Sequence, residues 1–249
     1  MITIKTDSEI ELMRYAGRVT AMAHNAVKKY IRPGITTLEL DKIAEDVIRS
    51  NGCTPAFLNY MGYPASICVS VNDEVVHGIP SKRKLMQGDI ASVDIGAAYK
   101  GYYGDAANTY PVGEISNQAR KLIDVTQQSL HEAMGYAKEG ARLGDISHAV
   151  QYYVEKNGFS IVRDYVGHGI GSAMHESPSI PNYGKAGRGV TLRENMTLAV
   201  EPMVNMGGYE VRVLEDNWTA VTRDGSYSAH YEHTLLIKQN TCEILTIEN

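Results

Sequence analysis

The sequence predicts an α+β fold built as two similar halves. Three observations carry this: two stretches of helical period come first, stretches of strand period follow, and the same order returns further along the chain. Gly34 to Gly140 and Gly52 to Gly158 are both steps of 106, and the apolar positions between them coincide without a gap. Only three of those 19 positions are identical, which chance could also produce, so the duplication rests on the apolar register. The pairing predicts two antiparallel sheet halves curving round one central site.

The first helix is expected from a capping box, Ser8 with Glu11, and from Ile10, Leu12, Met13, Ala16, Val19, Ala23 and Val27; Arg32-Pro33-Gly34 should stop it. Thr36 with Glu39 opens a second helix through Leu40, Ile43, Val47 and Ile48, ending at Asn51-Gly52. Strands then follow at Ser66–Val71, Asp89–Tyr99 and Tyr102–Tyr110. The second half predicts a helix from about Gln118 to Lys138 and another carrying Ile146, Ala149, Tyr153 and Val154 up to Asn157-Gly158. Its strands are expected at Thr197–Val204, Trp218–Thr222 and Tyr227–Ile237, the last two joined as a hairpin by Arg223-Asp224-Gly225-Ser226. No Pro- or Ser-rich linker divides the halves, so one domain is expected.

With 43% hydrophobic and 21% charged residues, the 249-residue chain has the composition of a globular protein with a sizeable core. Its net charge of −5 argues against a general nucleic-acid binder. Cys53, Cys68 and Cys242 form no CxxC pair, which fits a reduced compartment and neither a disulfide framework nor a zinc module. Neither a signal-peptide core nor an apolar run of about 18 residues occurs, so a cytoplasmic location without membrane association is expected.

The stretch VDIGAAYKGYYGDA, Val93 to Ala106, folds back at Lys100-Gly101 and sets Asp94 and Asp105 on neighbouring strands. Asp is a poor strand former, so the pair needs either solvent or a cation, and the hairpin alone leaves both readings open. Glu201 in VEP and Glu232 in YEHTLLI again interrupt apolar strand-like runs, and Glu201 lies 107 positions after Asp94, within one residue of the repeat step. Burial of such acids without a cation would cost several kcal/mol. With His168 of GHGIG, the four acids form an oxygen-rich set with one imidazole. Two divalent cations would neutralise them, and the donors suit Mn, Co, Fe or Zn better than a thiolate-seeking metal. Two ions about 3.5–4 Å apart can hold a bridging hydroxide and polarise a carbonyl, the logic of metal-assisted hydrolysis. There is no HExxH, GxSxG or GxxxxGK[ST] to suggest other chemistry.

The runs VDIG, YYGD, GHGIGSAMHE, VEP and YEHT, in this order and spacing, resemble the type I methionine aminopeptidases over nearly the whole chain. The resemblance implies the pita-bread (creatinase/aminopeptidase) fold, pseudo-two-fold, with an antiparallel curved sheet and helices on its outer face. It implies a single catalytic domain over residues 1–249, the minimal bacterial form. In that reading Asp94 chelates one metal, His168 and Glu201 bind the other, and Asp105 and Glu232 bridge the two. His77 in VVHGIP and His175 in MHESP match the family's two non-ligand histidines, His175 at the scissile carbonyl and His77 on the substrate backbone beyond it. Glu201 would also shuttle a proton. Tyr60, Tyr63, Cys68 and Trp218 match the methionine pocket, with Phe57 and Met174 as further walls where relatives often carry other side chains. Ala106-Ala107 depart from the hydroxyl residue common after Asp105.

The implied activity is removal of the initiator methionine when the second residue is small, by attack of a metal-bridging hydroxide on the first peptide bond. The implied partners are the N-termini of nascent polypeptides and the ribosome, and the implied state is a monomer. Two alternatives are a proline-directed peptidase of the same fold, whose members usually carry a leading domain not seen here, and a non-catalytic binding protein that would have lost ligands.

Overall fold

The computed structural model describes residues 2–248. Helix α1 (Asp7–Tyr30) and helix α2 (Thr37–Ser50) open the chain. They are followed by β1 (Thr54–Pro55), β2 (Cys68–Val71), β3 (Glu74–Val76), β4 (Ile90–Tyr99) and β5 (Tyr102–Pro111). The second half repeats the order with α3 (Asn117–Met134) and α4 (Leu143–Lys156), then β6 (Ser160–Ile161), β7 (Gly167–Gly169), β8 (Glu176–Ile180) and β9 (Thr197–Val200). It closes with β10 (Met203–Asn205), β11 (Val211–Val213), β12 (Ala220–Thr222), β13 (Ser228–His230), β14 (Glu232–Ile237) and β15 (Cys242–Ile244).

The halves match down to their turns. Helices α2 and α4 begin and end 106 residues apart, at 37 and 143 and at 50 and 156. Gly34 N–H donates to the Leu85 carbonyl at 2.8 Å, and Gly140 N–H to that of Leu192 at 3.0 Å. The side chains of Asn51 and Asn157 each donate back to a carbonyl four residues earlier, at 2.8 Å. Gly34 and Gly140 both have positive φ, +93° and +82°, in the turn that joins the two helices of each pair.

The main sheet is antiparallel in the order β1-β4-β5-β14-β9-β7-β8, with β2 also on β4 and β15 also on β14. Its centre is the pairing of β5 with β14, where the halves meet. One face packs on the helices. In the first half Val93, Ile95 and Ala97 of β4 pack with Val19 and Val27 of α1 and with Leu40 and Ile48 of α2. In the second, Leu198 and Val200 of β9 pack with Leu122 of α3 and with Ile146 and Val154 of α4. Alternation therefore turns Asp94, Asp105, Glu201 and Glu232 away from the helices, to the other face. Two three-stranded sheets, β13-β10-β6 and β11-β12-β3, border that face.

Three local expectations are corrected. Helix α1 starts two residues before the expected cap: Thr6 is the N-cap, its backbone N–H donates to Glu9 at 2.7 Å, and Ser8 lies inside the helix. The expected strands Thr197–Val204 and Tyr227–Ile237 are each broken, at Glu201-Pro202 and at Tyr231, and the chain changes sheet there. Pro202 has no N–H for a ladder, and the Glu201 carbonyl is taken by the Asn182 side chain at 2.8 Å. The expected hairpin across Arg223–Ser226 does not form, because β12 pairs with β11 and β3 while β13 pairs with β10.

Candidate metal centre and active site

The β4–β5 hairpin turns through Lys100 and Gly101, both with positive φ (+48° and +84°), the two-residue turn that suits twisted antiparallel strands. Its register pairs Asp94 with Ala107 and Asp105 with Gly96. The acids are therefore diagonal neighbours on one face, two residues off register, and can converge. Asp105 is held in place by Thr234 of β14, whose hydroxyl receives its N–H at 2.9 Å and donates to its carbonyl at 2.8 Å.

From the second half, Glu232 begins β14, Glu201 follows β9, and His168 sits in β7 opposite Ala199. Side-chain donor atoms of Asp105, His168 and Glu232 lie within 4.8 Å of one another, as do those of Glu201, His230 and Glu232. Glu232 belongs to both groups, and His168 Nε2 is 3.5 Å from Glu201 Oε1.

These acids are poorly provided for by the protein alone. Among the described residues no Lys or Arg pairs with any of the four, and Oδ1 of Asp94, Oδ1 of Asp105 and Oε1 of Glu232 are buried without a hydrogen-bond partner. Burial pushes the carboxyls of Asp105, Glu201 and Glu232 well above the usual range, and mutual repulsion adds to this for Asp105 and Glu232. Burial likewise pushes Asp94 up to about 7. Orphaned carboxylate oxygens facing one another beside imidazoles are what a site for hard or borderline divalent cations offers, so the residues present fit metal.

The histidines are set for distinct tasks. His168 Nδ1 faces the Gly169 carbonyl at 2.9 Å, an atom that can only accept, so its proton is on Nδ1 and its Nε2 lone pair faces the acids. Burial lowers His168 to about 4, which keeps it neutral. His175, with its ring centroid 4.2 Å from that of His168, binds the Tyr60 hydroxyl through Nδ1 at 2.8 Å. The loop behind it is pinned by Glu176, which accepts the N–H of Ala173 at 3.1 Å and pairs with the covered Lys5 ammonium at 2.7 Å. His77 has positive φ (+62°), uncommon for a non-glycine residue, and stands edge-on to Tyr165 and Trp218.

The four acids and the histidines His77, His168 and His175 line one cavity of about 380 Å³. The acids, with His168, His175 and His77, are at one end; Phe57, Tyr60, Tyr63, Cys68, Met174 and Trp218 form apolar walls. Gly96 makes room for the wall, since a Cβ there would lie 2.7 Å from the Phe57 ring. Every residue singled out in the sequence thus reaches the cavity.

Two residues, one in the acid cluster and one at the cavity rim, escaped the sequence reading. His230, only 1% exposed, points Nε2 at Glu201 Oε2 from 3.7 Å, and that nitrogen has no hydrogen-bond partner. Its spacing of two from Glu232 was the available signal, because strand residues i and i+2 share a face. Met61, 83% exposed at the rim, belongs to a tight turn with no sequence signature beyond Asn59 and Gly62.

The chain belongs to metallopeptidase family M24, whose model matches residues 11–239. Within that family, it is 54% identical over 246 residues to methionine aminopeptidase 1 of Bacillus subtilis, covering 99% of each chain. The crystal structure of the Thermotoga maritima methionine aminopeptidase superposes with a TM-score of 0.98 at 53% identity, each chain covered in full. A prolidase from Pyrococcus furiosus superposes with a TM-score of 0.79 at 24% identity over 98% of this chain and 65% of that one, which shows the shared pita-bread fold alone. Membership of a metallopeptidase family brings with it the use of divalent metal. Among the described residues no helix is long and apolar enough to cross a membrane.

Proposed function

We propose that this chain is a cytoplasmic, monomeric, metal-dependent aminopeptidase, a single catalytic domain over residues 1–249, that removes the initiator methionine from nascent chains with a small second residue, meeting them at the ribosome. The observation that carries this is the union in one cavity of four acids, three of them with a buried oxygen that has no hydrogen-bond partner, and an apolar wall.

Asp94 would hold one ion, His168 and Glu201 a second, and Asp105 and Glu232 both. Bound there, two divalent ions of Co, Mn, Fe or Zn would supply a nucleophilic water at neutral pH and positive charge for the peptide carbonyl. The remaining work falls to the chain. Phe57, Tyr60, Tyr63, Cys68, Met174 and Trp218 enclose the thioether side chain, where sulfur gains from aromatic contact. His175 donates a hydrogen bond to the scissile carbonyl, which strengthens as negative charge develops on that oxygen. His77 holds the backbone of the second residue, and Glu201 carries a proton to the leaving amine.

Protein stripped of metal and reloaded should release methionine from Met-Gly, leave Met-Leu largely uncut and ignore Xaa-Pro peptides. Activity that survives chelation, or cleavage of Xaa-Pro without Met-Gly, would overturn the reading and favour the proline-directed alternative. Absence of any cleavage after reloading would favour the binding-protein alternative.

A further inference from the structure

The rings of His168 and His175 lie side by side, yet their Nδ1 atoms face partners of different kinds. A carbonyl can only accept, so Gly169 fixes the tautomer of His168 without ambiguity. A hydroxyl can donate or accept, so the proton of His175 depends on what Tyr60 does with its own.

We propose that Tyr60 is a positioning residue: its hydroxyl donates to Nδ1 of His175 and so keeps the His175 proton on Nε2, where it can be offered to the substrate. This rests on the reading above, in which His175 donates to the scissile carbonyl. Three observations support it. A phenol is the more acidic donor and an imidazole nitrogen the stronger acceptor, so O–H to N is the favoured direction for a neutral pair. The Tyr60 backbone is also held: its N–H reaches the Phe57 carbonyl at 2.9 Å, its carbonyl receives the Tyr63 N–H at 2.9 Å, and left-handed Asn59 and Met61 flank it. The phenol ring lies 5.3 Å from the imidazole at 30°, so the two move as a stacked pair.

The chemistry separates this role from that of a pocket wall. Phenylalanine at 60 keeps the ring and the apolar surface and removes one oxygen. A wall residue would not notice; a tautomer-setting residue would. With metal-reloaded protein and a Met-Gly-containing peptide, Tyr60→Phe should lower kcat about 3- to 10-fold, the worth of one hydrogen bond, while KM stays within about twofold. Tyr60→Leu, which removes the wall as well, should also raise KM. The readout independent of turnover is nitrogen NMR of the zinc-loaded protein, with the His175 signals identified by their loss in His175→Asn. Wild type should show a single neutral tautomer protonated on Nε2, and Tyr60→Phe a mixture.

If wild type releases methionine but Tyr60→Phe matches it in kcat, the positioning role is overturned and the peptidase reading stands. A wild-type His175 protonated on Nδ1 overturns it equally. If wild type releases no methionine the peptidase reading fails, while the tautomer measurement still decides whether Tyr60 sets the ring.

Discussion

The two halves share a scaffold and differ in what they do between their last two strands of the main sheet. In the first half β4 turns straight into β5 through Lys100-Gly101, and both its acids come from that hairpin. In the second half the corresponding strands β9 and β14 are separated by residues 201–231, which leave the sheet at Glu201-Pro202, build β10 to β13 and return at Tyr231. That excursion supplies Trp218 to the cavity wall and His230 to the acid cluster. The shared order thus accounts for the helix pairs and the pairing of β5 with β14, whereas part of the cavity wall comes from where the halves diverge. Asp94 and Asp105 lie in the shared part of the scaffold, Trp218 and His230 where the halves part.

The harshest way to break the comparison is to remove an acid from the symmetric part. Asp105 is 4% exposed and pinned by Thr234, so Asp105→Ala removes a proposed metal-bridging group and a buried charge together. Turnover should be abolished, while circular dichroism reports a folded chain, since an unpaired buried carboxylate costs stability in the absence of metal. Retained activity would contradict the bridging role.

The helices offer a second test, because α1 and α3 pack by opposite means. Gly17 of α1 lies backbone to backbone against Gly104 of β5, and a Cβ at Gly17 would overlap the Leu245 carbonyl. The position 106 residues on is Ile123 of α3, 3% exposed within the second core. Ile123→Ala should lose about 2–5 kcal/mol by leaving a cavity. Gly17→Ala should lose about 1–3 kcal/mol by overpacking, even though alanine is the better helix former. Urea unfolding of both variants checks the order; a stabilised Gly17→Ala would mean that the tight contact relaxes at no cost.

Much of this was legible in the sequence for identifiable reasons. The α2 and α4 boundaries could be read because capping and left-handed glycine turns are local chemistry, and the acids stood out because each interrupts an apolar strand. The sheet change at Pro202 was only half legible: the apolar run continues through Met203 and Val204, and the proline without an N–H was the one local signal, while the pull of Asn182 on the Glu201 carbonyl, 19 residues away, has none. The start of α1 was misplaced because Thr6 and Ser8 both offer a hydroxyl three residues before a glutamate, and the fold selects the first. His230 was missed although its spacing from Glu232 offered a signal, because a lone histidine in an apolar strand is more often a satisfied core residue. That Tyr60 reaches His175 depends on two loops 115 positions apart, which no local pattern encodes.

The smallest expected effect lies in the caps that open α2 and α4. Thr36 accepts the Glu39 N–H at 3.2 Å through its hydroxyl, while Glu39 accepts the Thr36 N–H at 2.8 Å, a complete reciprocal cap. At the equivalent place Asp145 accepts the Arg142 N–H at 2.8 Å, but arginine has no oxygen to return the bond; its guanidinium reaches the Gly189 carbonyl at 3.3 Å instead. Arg142→Thr should therefore complete the second cap and stabilise the protein by about 0.5–1 kcal/mol, and Thr36→Ala should cost about 1 kcal/mol. Both are read as shifts in the urea midpoint at unchanged slope. If Thr36→Ala costs the expected amount while Arg142→Thr gains nothing, the long Gly189 contact is worth as much as a cap, and the second half has replaced the first half's device rather than lost it.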